Sequence, residues 1–253
     1  MTCRFFCFLF SVRSNAIACL LLFVSGQACF AYDEQKYQAL MKLAKQHAKM
    51  MELEKAIEDY SAAIKVNPNN YLTYQLRSEM RRDLNLLPEG IEDLTRAIAL
   101  SPKDAGLYRD RGYLYFRNYN YKEAISDYTK AIALDPSDAG AYRYRGRNYA
   151  CLKQYKNATA DYKKSLELKS KTTIRLEIET RGILGDLYVK SKQNNEALEQ
   201  FNLLISRFPH VSKGYYGRAE VYKLLGKTDL SKKDIEKAHE LDYEMDPALR
   251  KMH

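Results

Sequence analysis

The stretch Ala105–Pro136, AGLYRDRGYLYFRNYNYKEAISDYTKAIALDP, sets a pattern that most of the chain repeats. Moved forward by 34 residues, it meets a copy of itself, because DAGLYRDRG at Asp104 becomes DAGAYRYRG at Asp138. Three prolines share this interval and close the similar runs AIKVNP, AIALSP and AIALDP: Pro68, Pro102 and Pro136. A fixed period of this length predicts an array of helical repeats.

The pattern runs through six repeats, which we number 1 to 6 in chain order. They occupy residues 37–70, 71–104, 105–138, 139–172, 178–211 and 212–245. Five extra residues, 173–177, separate repeats 4 and 5. This insert lacks Pro and Gly, so we expect it to lengthen the first helix of repeat 5. The predicted organisation is a repeat domain over residues 32–245, followed by a C-terminal tail, 246–253.

Each repeat contains two apolar stripes with helical spacing, separated by a polar break. In repeat 3 the first stripe follows the i, i+3, i+4, i+7 rule with Tyr108, Arg111, Gly112 and Tyr115. Asp104 and Asp138 stand directly before first helices, where a carboxylate can accept hydrogen bonds from unpaired backbone amides. Every repeat is therefore predicted to form a pair of antiparallel helices that buries its apolar face against its neighbours.

Residues 1–31 have the composition of a secretory signal peptide and not of a repeat. Two arginines precede the apolar run Ala16–Val24, and small residues follow it. A basic start, a short apolar core and a small-x-small exit direct a protein to export. We expect cleavage after Ala31, with Ala28 as the second choice, and a periplasmic or envelope-associated location in a bacterium. An uncleaved membrane anchor through residues 5–31 is the alternative.

The composition argues against several classes of protein. With 46% hydrophobic and 29% charged residues, the chain is ordinary globular material and is not disordered. Four of the five cysteines lie in the leader, which leaves Cys151 alone to form neither an internal disulfide nor a cysteine-rich metal site. The four histidines are scattered, and no phosphate loop or nucleophile motif occurs. We therefore expect no metal, no cofactor and no enzymatic activity.

The repeat resembles the tetratricopeptide repeat. The signature of that family has aromatic residues at the fourth, eleventh and twenty-fourth places, small residues at the eighth, twentieth and twenty-seventh, and proline at the thirty-second. Repeat 3 matches it with Tyr108, Gly112, Tyr115, Ala124, Tyr128, Ala131 and Pro136. The resemblance implies an all-α fold, a right-handed α-solenoid of about six antiparallel helix pairs. It also implies a concave groove, lined by the first helix of each pair, that binds a protein or peptide.

Arginines at the seventh place of four repeats are predicted to be structural. This place is normally apolar and faces neighbouring helices, so an arginine there needs a carboxylate partner. The predicted ion pairs are Arg77–Asp93, Arg111–Asp127, Arg145–Asp161 and Arg218–Asp234. Repeat 5 has lost both members, with Leu184 and Gln200 in their places. Repeat 1 departs from the rule, because it has Asp59 but Leu43 instead of the arginine.

A second set of side chains lies at the places that line the groove in the tetratricopeptide family, roughly the second, fifth, ninth, twelfth and thirteenth of each repeat. The resemblance assigns partner binding to Arg109, Tyr113, Phe116, Arg117, Arg143, Arg147 and Tyr216. Arginine binds carboxylates through two parallel hydrogen bonds, so a basic, aromatic groove suits an acidic or C-terminal segment of a protein. The alternative is that carboxylates on the same face neutralise these arginines, namely Glu79, Asp83, Asp186 and Glu220.

Three functions stay open at this point. The first is a non-catalytic scaffold that binds a protein or peptide in its groove and takes no small-molecule substrate. The second is an architectural protein whose exposed repeat ends stack with other copies or with an envelope assembly. The third is a binder of an anionic ligand or nucleic acid, which the formal charge of +9 favours. An export leader argues against nucleic acid.

Overall fold

The computed structural model describes residues 16–168 and 173–245, and its regular structure there is entirely α-helical. The first half of the predicted leader and the tail 246–253 lie outside the described residues. The helices are α1 Ala16–Lys49, α2 Leu53–Val66, α3 Tyr71–Asp83, α4 Leu87–Leu100, α5 Ala105–Arg117, α6 Tyr121–Leu134, α7 Ala139–Cys151, α8 Tyr155–Glu167, α9 Ile174–Lys190, α10 Asn194–Arg207, α11 Ser212–Leu224 and α12 Thr228–Met245. None of these helices is both long enough and apolar enough to span a membrane.

The chain divides into two compact modules, each with its own packing. The N-terminal module ends at Leu84 and contains α1 to α3, and the C-terminal module begins at Asn85 and contains α4 to α12. Consecutive helices pack as antiparallel pairs, namely α1 with α2 in the first module and α5–α6, α7–α8, α9–α10 and α11–α12 in the second. Within the C-terminal module each pair also packs on the next. The predicted all-α fold of helix pairs is confirmed.

The first helices of repeats 3 and 4 are capped by the predicted aspartates. Asp104 Oδ1 accepts a hydrogen bond from the amide of Gly106 at 2.8 Å, and Asp138 Oδ1 accepts one from Ala141 at 3.1 Å. α9 is 17 residues long, whereas α5, α7 and α11 each have 13. The insert therefore lengthens the first helix of repeat 5, as predicted, and Thr173 caps it.

The turn inside each repeat contains one residue in the left-handed backbone region, with φ between 57° and 73°. These residues all stand at the fifteenth place: Met51, Asn85, Tyr119, Lys153, Lys192 and Gly226. Only the last is a glycine, the residue that adopts this conformation without steric cost. The six residues share no side-chain chemistry, so the sequence pattern did not reveal this position.

Aromatic side chains at the twenty-fourth place fill the space between the helices. Tyr60, Tyr128, Tyr162 and Phe201 are at most 1% exposed. The ring of Phe201 packs closely against two glycines, since a Cβ on Gly185 would come within 2.5 Å of it and a Cβ on Gly217 would overlap it. Small residues thus let α9 and α11 approach α10, and the aromatic ring fills the remaining volume.

Candidate functional site

The arginine at the seventh place connects three helices. Arg145 on α7 donates from Nε and Nη2 to the carboxylate of Asp161 on α8, at 2.8 and 2.7 Å. Its Nη1 donates to Thr129 Oγ1 on α6 at 3.2 Å. The guanidinium also lies between two rings of its own helix, 5.6 Å from the centroid of Tyr142 and 5.9 Å from that of Tyr149. One side chain thereby ties repeat 4 together and links it to repeat 3.

Two further repeats of the C-terminal module carry the same arrangement. Arg111 binds both carboxylate oxygens of Asp127 at 2.8 Å, and Arg218 binds those of Asp234 at 2.7 Å. Their second partners in the preceding repeat are Thr95 and Asn202. The aspartate hydrogen bonds raise the pKa of Arg111, Arg145 and Arg218. Three predicted ion pairs are confirmed, and these arginines are structural.

The fourth predicted pair stays a prediction, because Arg77 and Asp93 belong to different modules. Within the N-terminal module, Arg77 Nη1 donates to Ser61 Oγ at 2.8 Å, which repeats the link to the preceding repeat. In repeat 1, which lacks the arginine, a different side chain pairs with the aspartate. His47 Nδ1 lies 2.7 Å from Asp59 Oδ2, so a histidine one helical turn after Leu43 supplies the partner that the missing arginine would have provided.

Repeat 5 replaces the arginine pair with an ion pair one turn earlier. Leu184 is buried, and Arg181 Nε instead donates to Glu177 Oε1 at 2.8 Å. Arg181 Nη1 also donates to Gln200 Oε1 at 3.3 Å, and Glu177 Oε2 lies 3.1 Å from Arg207 Nη2. Glu177 lies in the insert before repeat 5. The extra helical turn therefore provides the carboxylate that pairs with Arg181.

A cleft of about 570 Å³ lies between α7 and α9. The α7 side contributes Arg143, Tyr144, Arg147, Ala150 and Cys151, and the α9 side contributes Glu179, Ile183, Asp186, Leu187 and Lys190. Tyr162 of α8 completes the lining and is 1% exposed. Burial raises the pKa of Tyr162 to about 12, so its hydroxyl stays protonated at neutral pH. Five of the lining side chains are thus charged and two are aromatic, and the others are small or apolar.

Several positive charges in this cleft lack a close carboxylate. Arg143 Nε is buried without a hydrogen-bond partner, and its Nη1 reaches Glu179 Oε2 only at 4.0 Å. The guanidinium of Arg147 lies 4.5 Å from the ring centroid of Phe116, and among the described residues it forms no ion pair. Lys190 likewise has none among them, whereas Asp186 is bound by Lys213 Nζ at 2.8 Å. The cleft therefore favours an anionic group.

The other predicted residues of repeat 3 adjoin this cleft. Tyr113 contacts Tyr144 edge to face with centroids 6.2 Å apart, and Phe116 lies under Arg147. Arg117 Nη2 donates to Asn85 Oδ1 at 3.1 Å. These side chains extend the aromatic and basic surface from the cleft toward α5.

Arg109 and Tyr216 are engaged elsewhere in the C-terminal module. Arg109 Nη1 donates to Asp138 Oδ2 at 3.0 Å; burial lowers the pKa of Arg109, but this pairing outweighs burial and raises it. Tyr216 donates its hydroxyl hydrogen to Asp242 Oδ2 at 2.8 Å. Hydrogen bonds from Ser212 and Tyr216 lower the pKa of Asp242. Tyr216 thus lies in a cluster with α12 and does not line the cleft.

Sequence reasoning missed most of the cleft lining, because only Arg143 and Arg147 of its eleven residues were predicted to bind the partner. Glu179 and Lys190 occupy the second and thirteenth places of repeat 5, so the place rule applied to repeats 3 and 4 would have found them. Tyr144 and Ile183 stand at the sixth place, outside that rule. Across the described side chains, no group of three His, Cys, Asp or Glu residues is arranged to hold a metal ion.

Models of known protein families match three of the repeats. Tetratricopeptide-repeat models match residues 105–138, 37–70 and 212–244. The chain contains tetratricopeptide repeats. A comparison with curated proteins found no match.

Solved tetratricopeptide structures share the fold. A tetratricopeptide repeat protein from Parabacteroides merdae has 28% identity and a TM-score of 0.66, over 81% of this chain and 79% of that one. YrrB, described as having an unusual peptide-binding site, has 21% identity and a TM-score of 0.61, over 75% and 94%. PilW, a type IV pilus biogenesis factor, has 19% identity and a TM-score of 0.62, over 85% and 97%.

Proposed function

We propose that this chain is a non-catalytic scaffold that binds an acidic segment of a partner protein in the cleft between α7 and α9. Tetratricopeptide repeats generally serve in protein–protein interaction, and the solved structure of YrrB is described by its peptide-binding site. The observation that carries the proposal is the pair Arg143 and Arg147. Both line the cleft, and neither has a carboxylate within hydrogen-bonding distance among the described residues.

The cleft chemistry suits a peptide better than a free anion. Ile183, Leu187 and Tyr144 provide apolar and aromatic surface beside the two arginines. A peptide with one or two carboxylates flanked by apolar residues would satisfy both kinds of lining, whereas a small anion would leave the apolar part uncovered. The predicted site residues Tyr113, Phe116 and Arg117 continue this surface and would contact the peptide beyond the cleft.

The proposed location is the bacterial cell envelope. The leader composition supports export, and the type IV pilus biogenesis factor PilW and Pseudomonas aeruginosa pilF have similar folds at 19% and 15% identity. Mass spectrometry of the protein isolated from its native host tests the location. A mature chain that begins at Tyr32 would support export with cleavage, whereas a cytoplasmic chain with intact Met1 would contradict it.

Photocrosslinking from Cys151 tests the proposed binding site. This thiol is exposed, lines the cleft and is the one cysteine beyond the leader. A benzophenone attached to it should capture the partner in the native compartment. The same probe at Lys164→Cys, in a Cys151→Ser background, is the matched control, because Lys164 lies on α8 outside the cleft lining. Equal capture from both positions would contradict binding in the cleft.

One observation favours the second candidate, stacking of copies through the repeat ends. Ile235 occupies the twenty-fourth place of repeat 6 and is 38% exposed, whereas the residues at this place in repeats 3 to 5 are at most 1% exposed. An uncovered packing position could receive another copy. Sedimentation of the wild type and of Ile235→Lys decides between the candidates. A concentration-dependent oligomer that Ile235→Lys abolishes would favour stacking, and a monomer at all concentrations would reject it.

A further inference from the structure

The contact that links successive repeats is missing at one junction of the C-terminal module. At three junctions, the arginine of the seventh place donates to a polar side chain sixteen residues earlier, in the preceding repeat: Arg111 to Thr95, Arg145 to Thr129 and Arg218 to Asn202. At the junction between α8 and α9, the corresponding positions hold Leu184 and Lys163. Neither the arginine nor its neutral polar acceptor is present there.

The contacts that replace it hold α9 to α10 more than to α8. Arg181, Glu177 and Arg207 form an ion-pair network that joins α9 with the end of α10. Toward α8, Lys163 Nζ lies 5.4 Å from the ring centroid of Tyr188, and a hydrogen bond with Tyr188 raises the pKa of Lys163. The junction thus lacks the single guanidinium hydrogen bond that links the other pairs.

α9 also carries a buried polar group to which no described residue is hydrogen-bonded. Thr180 is 1% exposed, and its Oγ1 has no hydrogen-bond partner. It stands at the third place of its repeat, where Ala141 in repeat 4 packs in an apolar cluster with Tyr128 and Ala131. A buried hydroxyl without a partner weakens an interface that an alanine would stabilise.

We infer that the junction between α8 and α9 is the joint at which the C-terminal module opens, and that a ligand between α7 and α9 closes it. In a repeat array, stability is a sum of repeat and neighbour terms, so opening starts at the weakest interface. The cleft has one wall on each side of this joint. Opening would separate Arg143 from Glu179, which are already 4.0 Å apart, and would widen the cleft. The second half of the inference rests on the proposed function; the first does not.

Hydrogen exchange of the free protein tests the joint. Amides in α8 and α9 are expected to exchange about tenfold faster than those at equivalent places in α6 and α7 or in α10 and α11, because they become exposed at the lowest free energy of opening. Equal protection along the module would overturn the inference.

Two designed variants should change which junction of the module exchanges fastest. Lys163→Thr with Leu184→Arg and Gln200→Asp restores the link at the α8–α9 junction and should slow exchange there. Thr129→Lys with Arg145→Leu and Asp161→Gln copies the repeat 5 residues into the α6–α7 junction and should make that junction the fast one. The second variant keeps the inference falsifiable if the first does not fold. Unchanged exchange at α6–α7 in a folded second variant would contradict it.

A synthetic peptide with two glutamates flanked by leucines tests closure by a ligand. It is expected to slow exchange in α8 and α9 selectively, and no slowing at saturating peptide would overturn closure. The exchange pattern of the free protein does not depend on any ligand. Failure of the joint and failure of peptide binding are therefore separate results.

Discussion

Arg145 and Asp161 form a two-point ion pair, Nε to Oδ2 at 2.8 Å and Nη2 to Oδ1 at 2.7 Å. Both side chains are largely buried, at 17% and 7% exposure. Arg143 and Arg147 lie two residues to either side and have no such partner among the described residues. Alternate arginines of α7 thus serve different purposes, one in holding the array together and two in facing the cleft.

Removal of one member of this pair should destabilise the module. Arg145→Leu leaves Asp161 as a buried carboxylate without a cation, and we expect a loss of about 3 kcal/mol in the free energy of unfolding. The double variant Arg145→Leu with Asp161→Gln copies repeat 5 and should lose less than the single variant. Urea unfolding measures both, with Arg175→Leu as the exposed control. A single variant as stable as wild type would refute the structural role.

Alanine should change the stability of the protein in opposite directions at glycines that contact Phe201 and at one that does not. Gly185→Ala and Gly217→Ala place a methyl group into the Phe201 ring, and we expect each to cost about 1–3 kcal/mol through overpacking. Gly182→Ala meets only the flexible side chain of Lys213, so the better helix propensity of alanine should stabilise it by about 0.5–1 kcal/mol. Thermal unfolding compares the three. Stabilisation by Gly217→Ala would contradict this packing.

Glycine should stabilise the protein at the turn position that adopts the left-handed backbone conformation. Lys153 and Lys192 have φ of 57° and 60°, a region that costs a residue with a side chain about 1–2 kcal/mol. We expect Lys153→Gly and Lys192→Gly to raise the unfolding free energy by about 0.5–1 kcal/mol, because the relieved strain exceeds the cost of the greater entropy that glycine gives the unfolded chain. Gly226→Ala should do the opposite, because Gly226 has φ of 73° and no steric neighbours. Equal melting temperatures for all three variants and the wild type would reject this prediction.

The fold could be predicted from the sequence because its determinants repeat. Each repeat shows the same alternation of aromatic and small residues, so six copies average out local exceptions such as Arg181. The ion pairs could also be predicted, since an arginine at an apolar place demands a partner at a fixed offset. The histidine partner of Asp59 could not, because it occurs once and at a different place.

The cleft was only partly predictable, for a physical reason. Groove places give the direction of a side chain but not its partner, so Arg109 and Arg147 looked alike in the sequence. Arg109 is paired with Asp138, which caps the first helix of the next repeat, whereas Arg147 lies over Phe116 without a carboxylate. The place of Tyr216 likewise did not reveal its hydrogen bond to Asp242. Such choices between partners depend on distances that only the three-dimensional structure supplies.

The central claim is that Arg143 and Arg147 bind the partner, and its most direct test is affinity after charge reversal. Fluorescence anisotropy would measure binding of the partner segment that Cys151 crosslinking identifies. For Arg143→Glu with Arg147→Glu we predict at least about 100-fold weaker binding, from two lost charge-assisted contacts, with helicity unchanged. Lys164→Glu, on α8 outside the cleft lining, should bind within about twofold of wild type. Wild-type affinity in the double variant would contradict the claim.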